Sequence, residues 1–167
     1  MTYKLIETLT VPATPQSGID FQNIPATYTD LLILASLRNN DSNQAGNVLV
    51  ELNGSTSSFS NIFWQGNGVN LSQSSVSAMV GDMNTAFDPS GVFNNILIYF
   101  GNYASSNSKN FFAKAVQEMA GVNAFMQNDA NLWSNSAAIN RITLRNRNAG
   151  INFVQYSSAS LYGIRNS

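Results

Sequence analysis

Asn131 to Ile164 reads N-L-W-S-N-S-A-A-I-N-R-I-T-L-R-N-R-N-A-G-I-N-F-V-Q-Y-S-S-A-S-L-Y-G-I. Ile142 and Leu144 alternate with Arg141, Thr143 and Arg145, the period-two signature of a half-buried strand. The polar run Asn146 to Gly150 predicts a turn into Ile151-Asn152-Phe153-Val154, and the chain ends on a strand over Ala159 to Ile164, offset by a bulge at Ser157-Ser158.

Working outward, the same alternation recurs. Tyr3, Leu5, Leu9 and Val11 share one face of a first strand, interrupted by Glu7 and closed by Pro12 and Pro15, since proline donates nothing to a ladder. Leu31-Leu32-Ile33-Leu34-Ala35 is apolar on both faces and reads as a central strand covered on each side, with Ile96 to Phe100 as a second buried strand. Val48, Val50 and Leu52 face one way, and the Asn53-Gly54 pair that follows is the dipeptide that best tolerates positive φ in a tight hairpin. Phe111, Ala113 and Ala115 line one face of a strand over Phe111 to Met119. Two short helices have room, one within Ser75 to Phe87 and a turn within Val122 to Trp133, though neither shows a sustained 3.6-residue stripe. The serine-rich runs Ser55 to Ser60 and Ser72 to Ser77 read as exposed loops. The expectation is an all-β single domain spanning 1–167, a two-sheet antiparallel sandwich of jelly-roll type with about eight to ten strands.

Composition removes whole classes of chemistry. At 167 residues a chain buries a real core without staples. It has no Cys, hence no disulfide, thiolate metal site or cysteine nucleophile, and no His, hence no Ser-His-Asp triad. Only 10% of residues are charged, against roughly 25% in an average domain, and the net charge is -1. Such near-neutral surfaces favour association. Lysines and arginines are too few for a nucleic-acid footprint, no window approaches the roughly 18 apolar residues of a membrane span, and the first residues lack the apolar core of a signal peptide. The expectation is a chain made in the cytoplasm, without cofactor, nucleic-acid or membrane partner.

The acids Glu51, Asp82, Asp88, Glu118 and Asp129 could in principle converge as a glycosidase pair, but no local spacing supports it and no enzyme is expected. Asp41 to Gly46 resembles a calcium loop whose closing position falls on Leu52, with Glu51 one residue early, so an ordinary loop is the better reading. Arg141, Arg145 and Arg147, with Arg38 a candidate fourth, could meet a partner's carboxylates or an anionic glycan; they could equally form a solvated, edge-protecting face. Phe63 and Trp64, beside Gln65, Gly66 and Asn67, fit a glycan platform, an interface anchor or core packing alike, and so does the stretch from Phe125 to Trp133.

A family resemblance enters on the pattern W-x-N-x-A-A-I-x-x-I-T-L, a short turn, N-F, and S-x-x-S-L-Y-G-I. Here it is carried by Trp133, Asn135, Ala137, Ala138, Ile139, Ile142, Thr143, Leu144, Asn152, Phe153, Ser157, Ser160, Leu161, Tyr162, Gly163 and Ile164. Ile19-Asp20-Phe21, Ile24-Pro25, Tyr28, Asp30-Leu31 and Leu52-Asn53-Gly54 extend it to the amino-terminal half. The chain resembles virion structural proteins of tailed bacteriophages. The resemblance implies a jelly-roll head decoration (cement) protein that clamps adjacent major capsid subunits on the outer capsid surface, with copies of itself, as a homotrimer at quasi-threefold positions, as a further expected partner. The alternative is a tail or fibre module that binds host glycan. Where the pattern often carries Gly before its final Ser, this chain has Tyr156, which bears on the turn there.

Overall fold

The computed structural model describes residues 1–43, 46–118 and 124–166. Gln44 and Ala45 of the calcium-like loop, Met119 at the end of the Phe111 strand, Val122 of the second helical stretch and Ser167 lie outside the described residues. Among the described residues, twelve strands form two antiparallel sheets: β1 (Thr2–Thr10), β2 (Gly18–Phe21), β3 (Asp30–Leu37), β4 (Gly46–Leu52), β5 (Phe59–Gly66), β6 (Leu71–Ser74), β7 (Met79–Met83), β8 (Asn94–Phe100), β9 (Lys109–Glu118), β10 (Ala124–Trp133), β11 (Ile142–Asn146) and β12 (Ser158–Arg165). The large sheet has the order β1-β12-β3-β8-β9-β10-β5-β6 and the small one β2-β11-β4-β7.

The order β1-β12-β3-β8 opposite β2-β11-β4-β7 is that of a jelly roll, the chain crossing repeatedly from one sheet to the other. The remaining strands are two inserted hairpins. β5–β6 enters between β4 and β7, β9–β10 between β8 and β11, and the two pair through β10 and β5 to widen the large sheet. The expected sandwich is therefore present, with the extra strands coming from these insertions. Among the described residues there is no helix, so none long and apolar enough to cross a membrane.

The core forms where the two sheets face each other. Leu31, Ile33, Leu37, Ile96, Ile98, Phe100 and Leu161 of the large sheet meet Phe21, Val48, Val50, Leu52, Ile142 and Leu144 of the small one, all buried. Each such side chain contributes about 1.5–3 kcal/mol by leaving water. The resemblance residues take core and turn positions. Trp133, Ile139, Phe153 and Leu161 are buried. Lys109 lies beneath the Trp133 ring, 5.7 Å from its centre, and its Nζ donates to the carbonyls of Ser105, Asn135 and Ala137. That buried cation fixes the connection between β10 and β11, and burial lowers its pKa. A Cβ on Gly163 would collide with the Tyr28 ring, so the glycine makes room for an aromatic side chain.

Several expectations are corrected. Ser75 to Phe87 holds β7 in place of a helix, and Ala124 to Trp133 is a ten-residue strand. Ser72 lies in the edge strand β6, exposed on both faces, and Ser60 in β5, so neither serine-rich run is wholly loop. The β3 strand is covered on one side only, because Leu34 is exposed on the other. The Asn53-Gly54 turn forms, with φ of 53° and 78°, and closes a Leu52–Ser55 bridge. It joins no paired strands, since β4 and the next strand belong to different sheets. Ile151 to Val154 is no strand, Phe153 making only isolated bridges to Gln16 and Asn39. The bulge expected at Ser157-Ser158 is found between Leu5 and Glu7 of β1, which is why the alternation breaks at Glu7.

Tyr156 occupies the left-handed region at φ 73°, where the resembling pattern often has Gly, and its side chain is 70% exposed. A non-glycine residue is disfavoured there by roughly 1–2 kcal/mol. Because little packing is lost, Tyr156→Gly is expected to stabilise the protein by about 1 kcal/mol, raising Tm by roughly 2–4 °C in a calorimetric scan. Tyr156→Val should lower it.

Candidate functional site

The two faces of the sandwich differ in what they offer. On the outside of the small sheet, Arg141 clamps Asp20 through two parallel bonds of 2.8 Å, and its guanidinium holds the Asp20 carboxyl below the usual range. Arg145 pairs with Glu51 through Nε at 2.5 Å. Arg147 donates to Asn47 Oδ1 at 3.4 Å. The first two are thus satisfied by neighbouring strands of the same chain, β2 and β4, and are not free for a partner's carboxylate. Arg38 does not join them. It is buried, and its guanidinium donates to the carbonyls of Asp88, Pro89 and Val92, pinning the connection from β7 to β8.

Phe63 and Trp64 are separated by strand parity. Phe63 turns inward and packs with Leu49 and Met79. Trp64 turns outward on the large sheet and is 53% exposed. The strand register lays its neighbours in a line across the sheet: Leu97, Lys114, Asn128, Trp64 and Gln73 stand directly opposite one another on β8, β9, β10, β5 and β6. The row on one side is Tyr99, Phe112, Ala130 and Ile62, and the row on the other is Asn95, Val116, Met126, Gly66 and Leu71. Tyr99 and Phe112 stack at 5.5 Å. Between the Trp64 row and the row of Phe112, Ala130 and Ile62 lies a trough of about 310 Å³, its lining including Ile62, Trp64, Gln73, Phe112, Lys114 and Asn128. A second groove of about 430 Å³ continues over Leu34, Leu97 and Val116, so Lys114 borders both.

Lys114 makes no ion pair among the described residues. Its outward position follows from the alternation that turns Phe111, Ala113 and Ala115 inward, but nothing in the sequence puts β10 between β9 and β5. Asn128 and Gln73 therefore could not be assigned to Trp64 from the sequence.

The candidate acids disperse. Glu51 is taken by Arg145, Asp88 accepts from the backbone N–H of Thr85, and Glu118 is exposed at the end of β9. Asp82 and Asp129 face each other's field from opposite sheets, and both are buried. Asp129 is 2% exposed; its Oδ1 accepts from Gln127 Nε2 at 2.9 Å, while its Oδ2 and Gln127 Oε1 have no partner. Asp82 accepts from Asn47. Asp41 accepts from Asn43, as in an ordinary loop, and among the described residues no group of His, Cys, Asp or Glu is placed to hold a metal ion.

Burial pushes the Asp82 carboxyl up to about 6 and that of Asp129 up to about 7, the Asp82 charge adding to the second. Both pKa values are raised above the unfolded value of 3.8, so the unfolded chain releases these protons first as pH rises. Their contribution to folding stability is then fully present below pH 3.8 and is lost as pH rises, until both groups have ionised above about pH 7. No histidine titrates in this window. Thermal unfolding from pH 5 to 8 should show Tm declining by several degrees, and Asp129→Asn should flatten the decline and raise Tm at pH 8.

No family model and no curated protein matches the chain. Among solved structures it is similar to the Caenorhabditis elegans galectin LEC-6, at 12% identity over 92% of this chain and 94% of that one, with a TM-score of 0.36. A likeness at that score carries nothing about what this chain binds.

Proposed function

We infer that the protein is a non-enzymatic virion component of a tailed bacteriophage, a head decoration protein that sits on the outer capsid and clamps neighbouring major capsid subunits. The observation that supports this reading is the uncovered outer face of the large sheet. Leu34, Ile62, Trp64, Leu71, Phe112, Val116 and Met126 are each at least 40% exposed on it. Contiguous apolar surface of that kind marks a place where another macromolecule packs. With Arg141 and Arg145 satisfied inside the chain, the clamp is this face and not the arginine row. Copies of the chain around a quasi-threefold position, as a homotrimer, would sum their contacts.

A second reading, a tail or fibre module that binds host glycan, is favoured by one specific feature: the exposed Trp64 ring flanked by two amides, with a lysine one strand beyond. The two readings compete for the same face.

Purified capsids lacking the protein test the first. Stoichiometric capture, abolished by Val116→Glu and Phe112→Glu with Tm unchanged, is the expected outcome. Immunogold grains confined to the tail, or capture indifferent to both glutamates, would sink it.

A further inference from the structure

We propose that the trough at Trp64 takes an acidic saccharide, a pyranose whose carboxylate is met by Lys114. This assignment rests on the second, glycan-binding reading and names the ligand class for it. The trough carries each element such a ligand needs, in order, along one row of the sheet. A half-exposed indole offers a π face of negative potential to the polarised C–H bonds on the apolar side of a sugar ring. Gln73 and Asn128, directly opposite Trp64 on either side, supply an amide N–H donor and a carbonyl acceptor each, the pair of functions that hydroxyl groups require. Beyond Asn128 stands Lys114, exposed and outside any ion pair among the described residues.

Spacing and charge decide the class. Adjacent strands lie about 4.8 Å apart, so Trp64 and Lys114, two strands apart, are separated by roughly 10 Å at the backbone. A carboxylated pyranose stacked on the ring, with the lysine stem reaching inward, spans that gap. Of the two ionisable residues that line the trough, Asp129 stands on an inward-facing row and is 2% exposed while Lys114 faces outward, so a neutral sugar would leave the lysine's ammonium unused while a carboxylate forms a charge-assisted bond with it. The trough's volume of about 310 Å³ suits one or two sugar units and is at the small end of ligand sites.

The test uses the full chain, 15N-labelled, titrated with a galacturonic acid trimer, with sialyllactose and with lactose as the neutral probe. The expected result is a shift of the Trp64 indole N–H resonance, with the Trp133 signal unmoved, and at least tenfold tighter binding of one of the acidic probes than of lactose. Whichever acidic probe binds identifies the source of the carboxylate. Trp64→Ala should remove binding of every probe. Lys114→Gln should weaken the acidic probe about tenfold, leave lactose unchanged and abolish the dependence on salt. Both residues are exposed, so an unchanged Tm for each variant shows that the fold is intact. Equal binding of lactose and the acidic probes, indifferent to Lys114→Gln, would overturn the acidic assignment and leave the glycan reading standing. No shift at Trp64 with any probe would overturn both.

Discussion

The unequal width of the two sheets is the constraint on which the rest of this molecule depends. A jelly roll balances four strands against four, and its core is dry because both inner faces are covered. Here two inserted hairpins widen one sheet to eight strands while the other keeps four. The inner face of the added half packs against β7, Leu49 of β4 and the segment around Val76. Gly81 allows that packing, because a Cβ there would approach Ala115 to 2.5 Å. What the small sheet does not cover is filled by Gln117, Gln127, Asp129 and Asn131, and this is where unpartnered polar atoms and raised carboxyl pKa values collect. Among the described residues nothing covers the outer face of the wide sheet.

The same asymmetry explains what sequence alone could and could not disclose. On the small sheet, apolar means inside: Val48, Val50, Leu52, Ile142 and Leu144 alternate cleanly and are all buried. In the added half the rule inverts. On β10 the polar Gln127, Asp129 and Asn131 face inward while Met126 faces water, so the stretch could be taken for a helical turn. Leu31 to Ala35 misled in the opposite sense, since an exposed apolar face is spelled in the same residues as a buried one and only the second sheet's position tells them apart. Strand β6, exposed on both faces, has no alternation to show. For the site, Trp64 could be named from its neighbours in sequence, but Lys114, Asn128 and Gln73 come to it through strand order, which periodicity does not encode.

Charge placement carries a related lesson. In a chain with 10% charged residues, most of the ions have a partner or a carbonyl cage within the fold. Arg38 and Lys109 hold loop carbonyls, and Arg141 and Arg145 hold acids on adjacent strands. Bonds of this kind position loops and strands at modest net gain in stability, since exposed pairs contribute only about 0–1 kcal/mol. Within the arginine row, Arg141 and Arg145 brace neighbouring strands of the small sheet.

Lys114 stands apart from that pattern, and it discriminates between the two uses of the face. A stable protein contact covers roughly 800 Å² per partner, about a tenth of the 8136 Å² this chain exposes. A footprint of that size centred on Leu34, Leu97 and Val116 reaches Lys114, which borders that groove as well as the Trp64 trough. Burying its ammonium without a counter-charge costs several kcal/mol. A capsid subunit docking there must either bring a carboxylate to Lys114 or leave it at a wet rim, which limits how the subunit can sit. An acidic saccharide brings its own carboxylate and needs only the trough. The position of one lysine between two grooves thus sets the condition that any occupant of this face has to meet.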